Sequence, residues 1–132
     1  SIIDNAYTQS RPGLATTTQY AIDYGLDVLV QVANNAGTLT TVGPLGVNTD
    51  VYSGFDIFTS PAGVDTAYAL LSGPGGSTPT LYTINLATGA ATSVGAVGFT
   101  NQVYSLAVVP SPGAAAGLAS TMVLLLTPRR RR

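Results

Sequence analysis

Six aspartates are the only acidic side chains in this chain, and there is no Glu, His, Cys, Lys or Trp to work beside them. Asp23 and Asp27, in Asp23-Tyr24-Gly25-Leu26-Asp27, stand four residues apart in a stretch that reads as a turn. Two carboxyls serve general acid and base chemistry on glycosidic bonds when they lie about 5–10 Å apart and one pKa is raised. The simpler reading of this pair is turn capping. Asp23, Asp27 and Asp50 could together offer oxygens to calcium, although their spacing is not that of an EF-hand loop. Gly73-Pro74-Gly75-Gly76-Ser77-Thr78 is glycine-rich, but no Lys and no helix start follow it, so it reads as a hairpin loop and not as a phosphate cradle. Serine chemistry lacks its imidazole base. With no thiolate, no imidazole, no Schiff-base lysine and no soft metal ligand, the sequence points to no catalytic, cofactor or metal residues.

The elements that would position such groups must come from a chain that is 8 % charged and 45 % apolar, against about one quarter charged in ordinary soluble domains. That composition is of a secreted or envelope type. Residues 1–128 hold one Arg against six Asp, and the last four positions are all Arg. Nucleic-acid binding needs basic side chains spread over a face with aromatics among them, so a terminal cluster argues against it. Zero cysteines leave stability to burial and backbone pairing. The N-terminus shows neither a basic stretch nor an apolar one of the kind that marks a signal peptide.

Self-comparison gives the organisation. Thr18 to Ile22 matches Thr66 to Leu70 at an offset of 48, and Leu29 to Ile57 matches Leu81 to Val109 at an offset of 52 with nine of 29 positions identical. The difference of four fits an insertion at the glycine-rich loop. Each unit reads as short strands. Leu81 to Leu86 alternates with the period of a half-buried strand, and Leu86-Ala87-Thr88-Gly89 is a hairpin turn in which Gly89, like Gly37, supplies a positive φ. Thr38 to Val42 and Ala90 to Val94 follow as strands, and Gly54 to Phe58 and Tyr104 to Val109 read as the fourth strand of each unit. We therefore expect an all-β body over residues 1–109, with units at about 10–58 and 59–109 and a leading strand near Asn5 to Thr8. About two four-stranded antiparallel blades of a partial β-propeller satisfy this arithmetic, and a β-sandwich is the alternative. Asp56, between Phe55 and Ile57, points opposite to its neighbours; it reads as an acceptor for backbone donors at a sheet edge, or as lining of a propeller channel. The recurring tyrosines, among them Tyr20, Tyr52, Tyr68 and Tyr104, read as packing residues, with a glycan-stacking platform as the alternative.

The motifs Ala6-Tyr7-Thr8, Tyr20-Ala21-Ile22-Asp23, Gly37 to Val47, Gly54-Phe55-Asp56-Ile57 and Leu81 to Thr92 resemble, in order, the C-terminal half of a bacterial domain of unknown function, family 4394. The resemblance runs from about residue 4 to 109. It implies a propeller-like fold, a secreted protein, further strands upstream, and no established catalytic residue.

Residues 110–132 read as a separate module. Val109, Pro110, Ser111, Pro112 and Gly113 are followed by an uncharged stretch to Thr127, then Pro128 and Arg129, Arg130, Arg131 and Arg132. The order of proline motif, apolar helix and arginine cluster resembles the PEP-CTERM sorting signal recognised by exosortases, in a V-P-x-P variant with Ser111 at the usual Glu position. Gly113 to Thr127 would form an apolar helix about 22 Å long at 1.5 Å per residue, short of a hydrocarbon core of about 30 Å. It reads as a transient inner-membrane anchor with its arginines on the cytoplasmic side. The expected function is that of a non-enzymatic exported protein of the cell envelope or extracellular matrix, with an exosortase-type enzyme and the inner membrane as partners. The alternatives are a hydrolase or lyase acting on extracellular polysaccharide through Asp carboxylates, and a carbohydrate- or calcium-binding module.

Overall fold

The computed structural model describes residues 1–14, 16–98 and 100–110. They form eight strands: β1 (Ile2–Tyr7), β2 (Gln19–Asp23), β3 (Val28–Val32), β4 (Leu39–Pro44), β5 (Ser53–Thr59), β6 (Asp65–Leu71), β7 (Thr80–Ile84) and β8 (Ala91–Ala96). Two four-stranded sheets result, ordered β1-β2-β3-β4 and β5-β6-β7-β8. Every pairing is antiparallel between neighbours in the chain. Such meanders follow from short connections between strands rich in Val, Ile, Leu, Tyr and Thr, residues that suit a pleated and half-buried surface.

The connections carry the turn chemistry that the sequence led one to expect. Gly89 N–H donates to the Asn85 carbonyl at 2.8 Å, with φ +82° at Gly89. Asn85 Oδ1 accepts Ala87 N–H at 2.9 Å and Thr88 N–H at 3.2 Å, closing an Asx turn. The β3–β4 turn has the same build, with Gly37 N–H on the Ala33 carbonyl at 2.8 Å and φ +63°.

The sheets stack face to face. Ala6, Ile22 and Leu29 of the first meet Phe55, Ile57, Ala67, Ala69, Leu71 and Ile84 of the second, and Leu45 seals the join from the connection between them. Ile22 and Leu29 are wholly buried, so truncating either to Ala would cost about 2–5 kcal/mol. The two sheets use opposite faces for this contact. Ile22 and Leu29 correspond under the repeat to Leu70 and Leu81, which share a register row with Gly54. Phe55 and Ala69, in the next row, point to the other side and into the core. The arrangement is thus a head-to-tail repetition, not a two-fold pair of like faces.

One feature departs from the expected units. Gly54 to Phe58 lies in the first strand of the second sheet, not the fourth strand of the first. A repeat alignment fixes the period but not the phase. The phase is set by the five-residue β5–β6 connection, in which Ser60 N–H donates to the Val64 carbonyl at 2.9 Å, whereas the longer link before β5 crosses from one sheet to the other. The sheets accordingly span 2–44 and 53–96, one strand out of step with units at 10–58 and 59–109. Tyr104 to Val109, expected as a fourth strand, joins no ladder; it lies beside β5, with Leu106 against Gly54. No helix among the described residues is long and apolar enough to cross a membrane, and the apolar segment expected at 113–127 lies outside the described residues.

Candidate functional site

All six carboxylates are described, and each is engaged with the protein's own donors. Asp4, on the edge strand β1, accepts Asn5 N–H on Oδ1 at 2.9 Å and Phe55 N–H on Oδ2 at 2.7 Å. Asp56, on β5, accepts Ile57 N–H on Oδ1 at 2.8 Å and Val108 N–H on Oδ2 at 2.7 Å. Asp4 thus ties β1 to β5 and Asp56 ties β5 to the segment around Val108, which is the backbone-acceptor role expected of Asp56. Asp65 takes Gln9 N–H at 3.0 Å and Thr59 Oγ1–H at 2.6 Å, joining β6 to the loop after β1.

The turn pair separates in the same way. Asp27, itself at φ +53°, holds Thr49 through N–H at 2.7 Å and Oγ1–H at 2.9 Å. Asp23 accepts the Ser1 ammonium at 2.9 Å and Gly25 N–H at 3.0 Å. The ammonium's hydrogen bond is the main cause that holds the Asp23 carboxyl below the usual carboxylate range, burial opposes it, and the Gly25 and Leu26 N–H groups reinforce it. A general acid would need the opposite shift. Asp50 turns away from both, taking Val51 N–H at 2.7 Å and Gly75 N–H at 2.9 Å. The glycine-rich stretch is therefore the β6–β7 connection, fastened at Gly75 by a carboxylate. Among the described residues no three acidic groups gather as a metal would require.

A cleft of about 330 Å3 opens at the end of β5, lined by Arg11, Asp56, Phe58, Thr59, Val108 and Pro110 among others. Arg11 Nη1–H groups donate to the Ser60 carbonyl at 2.9 Å and the Pro61 carbonyl at 2.6 Å. Among the described residues, Asp56 is the only carboxylate lining this cleft. Of the expected sorting residues, Val109 is exposed and Pro110 lines the cleft; Ser111, Pro112, Gly113, Arg129, Arg130, Arg131 and Arg132 lie outside the described residues. Tyr52 and Tyr104, equivalent under the repeat, lie outside the strands and meet edge to face with ring centroids 5.5 Å apart, Tyr104 being largely exposed.

Asp4 precedes both aligned segments, which start at Thr18 and Leu29, so they do not mark its likeness to Asp56. Asp4 stands 52 positions before Asp56, but the ladders pair Asp4 with Ile22 and Gly54 with Leu70, so the repeat itself carries no signal for the likeness. Asp65 and Thr49 carried no mark either, because their partners come from loops outside the repeat.

A β-meander repeat whose acidic groups accept hydrogen bonds from its own strands, turns and connections defines a structural repeat class without identifying a chemistry. The chain belongs to the family described as Domain of unknown function (DUF4394), whose model matches residues 1–107. No curated protein and no solved structure matches the chain.

Proposed function

We propose that this is a non-enzymatic, exported β-repeat protein of the cell envelope or extracellular matrix, whose two sheets are adjacent blades of a propeller and whose C-terminal segment is a cleavable sorting signal. The observation that carries the reading is a boundary: the family match stops at residue 107, and the proline motif begins at Val109. A module with its own grammar thus starts where the body ends. An apolar stretch too short for a durable span, closed by four arginines that resist translocation, suits transient anchoring and removal by an exosortase-type enzyme. Head-to-tail use of opposite faces supports the blade reading over the sandwich, because blades repeat about an axis whereas sandwich sheets close on each other.

The hydrolase or lyase alternative needs two carboxyls converging on one cleft. Asp56 stands alone in its cleft, and the other carboxylates fasten separate loops. The test of the sorting signal is processing in an exosortase-bearing host. The full chain fused behind a secreted reporter should lose its C-terminal segment and leave the inner membrane. Fusions ending at Val109, or carrying Pro110→Ala with Pro112→Ala, should not be processed; equal processing of all three would overturn the reading.

A further inference from the structure

The join between the sheets is built from repeated parts, so each half of it has an equivalent elsewhere in the chain. The β7–β8 turn seats on the first sheet. Gly89 is buried against the Gly43 backbone, where a Cβ on either glycine would overlap the other segment, and Ala91 N–H donates to the Leu45 carbonyl at 2.9 Å. Moving the receiving side by 52 positions gives Val94, Gly95 and Val97 for Val42, Gly43 and Leu45; moving the seated side back gives Gly37 and Leu39 for Gly89 and Ala91. The local geometry is repeated too. Val97 N–H bonds the Pro79 carbonyl at 3.2 Å as Leu45 N–H bonds the Asp27 carbonyl at 2.8 Å.

What differs is the cover. Gly43 and Leu45 are buried, whereas Gly95 is exposed and Val97 half-buried. Val42 is half-buried, and Val94 is 59 % exposed. On the seated side Gly89 is buried and Gly37 exposed, with nothing within 4 Å of where its Cβ would stand. Among the described residues, an unfilled socket on the second sheet and an unseated turn on the first thus share one chemistry.

We propose that a second copy of this chain docks its first sheet on the far face of the second sheet, seating its Asn34–Gly37 turn on Gly95 with its Leu39 N–H directed at the Val97 carbonyl. The two surfaces differ, so the contact is heterologous and grows into a chain or closes into a ring. Residues 104–109 occupy the place that β1 of the incoming copy would take. They are held by Val108 N–H on Asp56 and by Leu106 over Gly54, without a strand ladder, and Val108 donates to Asp56 as Phe55 donates to Asp4. The incoming β1 lifts this segment, and one of its backbone N–H groups takes over Asp56 Oδ2 as Phe55 N–H takes Asp4 Oδ2 within one copy.

The chain has no cysteine, so single thiols report the contact directly. Full chains carrying Ala36→Cys or Val94→Cys, both at exposed positions, are treated with a short thiol-to-thiol cross-linker. The mixture should give several-fold more dimer than either chain alone; equal yields in all three would overturn the proposal. Sedimentation equilibrium on the unsubstituted full chain should show mass rising with concentration beyond the dimer. Full chains with Ala36→Trp or Val94→Arg should each remain monomeric, and their mixture should stop at the dimer. A parent chain that stays monomeric refutes the docking, as do variants that assemble like the parent, the behaviour expected of association through the apolar C-terminal segment.

Discussion

Asp4 and Asp56, 52 positions apart, make the same pair of hydrogen bonds: one oxygen takes the next N–H of its own strand, and the other takes an N–H of the segment packed beside it. A strand at the edge of a sheet leaves backbone donors unpaired, and stacked sheets have no ladder between them to satisfy those donors. A carboxylate supplies two acceptor oxygens at once and bonds N–H groups more strongly than a neutral acceptor. This accounts for aspartates buried or half-buried in an otherwise nearly uncharged body.

Asp4→Asn tests that role. Phe55 is 2 % exposed, so its N–H has no water to turn to when the amide presents a donor in place of one oxygen. We expect a loss of about 1–3 kcal/mol, the usual cost of stranding a buried donor, read as a lower urea midpoint with faster hydrogen exchange at Phe55. Asp56→Asn should cost less, because Val108 belongs to a segment outside any sheet. Equal losses would contradict this ranking.

Gly43 tests the seat of the β7–β8 turn. Its Cβ would overlap the Thr88 carbonyl oxygen, a backbone atom that no rotamer change can move. Gly43→Ala should destabilise by about 1–3 kcal/mol, as overpacking does. Thr41→Ala on the same strand, exposed, serves as control and should stay within about 0.5 kcal/mol. Thermal midpoints of the two variants decide it.

How much of this was legible can be judged from particular residues. The strands of the second unit were plain because Leu81 to Leu86 alternates and Gly89 marks its turn; both are local signals. The placement of Gly54–Phe58 was not, since its partner strand is chosen by the length of the connection on either side and not by its own residues. Asp56 pointed opposite to two apolar neighbours and announced a backbone acceptor. The donor it serves, Val108 N–H, lies 52 residues away, and no composition rule reaches that far. Asp23 and Asp27 looked like a pair because four residues separate them, yet a β-turn directs their carboxylates to different partners.

Acid should weaken the fold through Asp23. Its folded-state pKa lies below the ordinary 3.8, chiefly through the hydrogen bond from the Ser1 ammonium. A depressed carboxylate pKa means that the folded state binds the proton less readily than the unfolded one. The stabilisation is therefore complete above about 3.8 and lost as pH falls through the lower folded value. Urea midpoints followed from neutral pH into acid should fall more steeply for the parent than for Asp23→Asn, with the variant weaker at neutral pH and the two curves converging at the acid end. Parallel curves would remove Asp23 from the acid transition.

Calcium provides the last check, because a fold rich in acidic turns invites it. The ion takes six to eight oxygens at about 2.3–2.6 Å, and three carboxylates in one shell would be the usual start. Asp23, Asp27 and Asp50, the residues whose sequence positions suggested such a shell, are fastened to Ser1 and Gly25, to Thr49, and to Val51 and Gly75 respectively. Drawing them together would break these bonds and open both the β2–β3 turn and the link between the sheets. Binding to the folded state at 100 times Kd would add about 2.7 kcal/mol, a gain large enough to read in a melting curve. We expect the thermal midpoint to be the same in millimolar-range calcium and in EDTA. A rise with calcium would mean that the carboxylates rearrange around the ion, and it would turn these turn and loop fasteners into ligands.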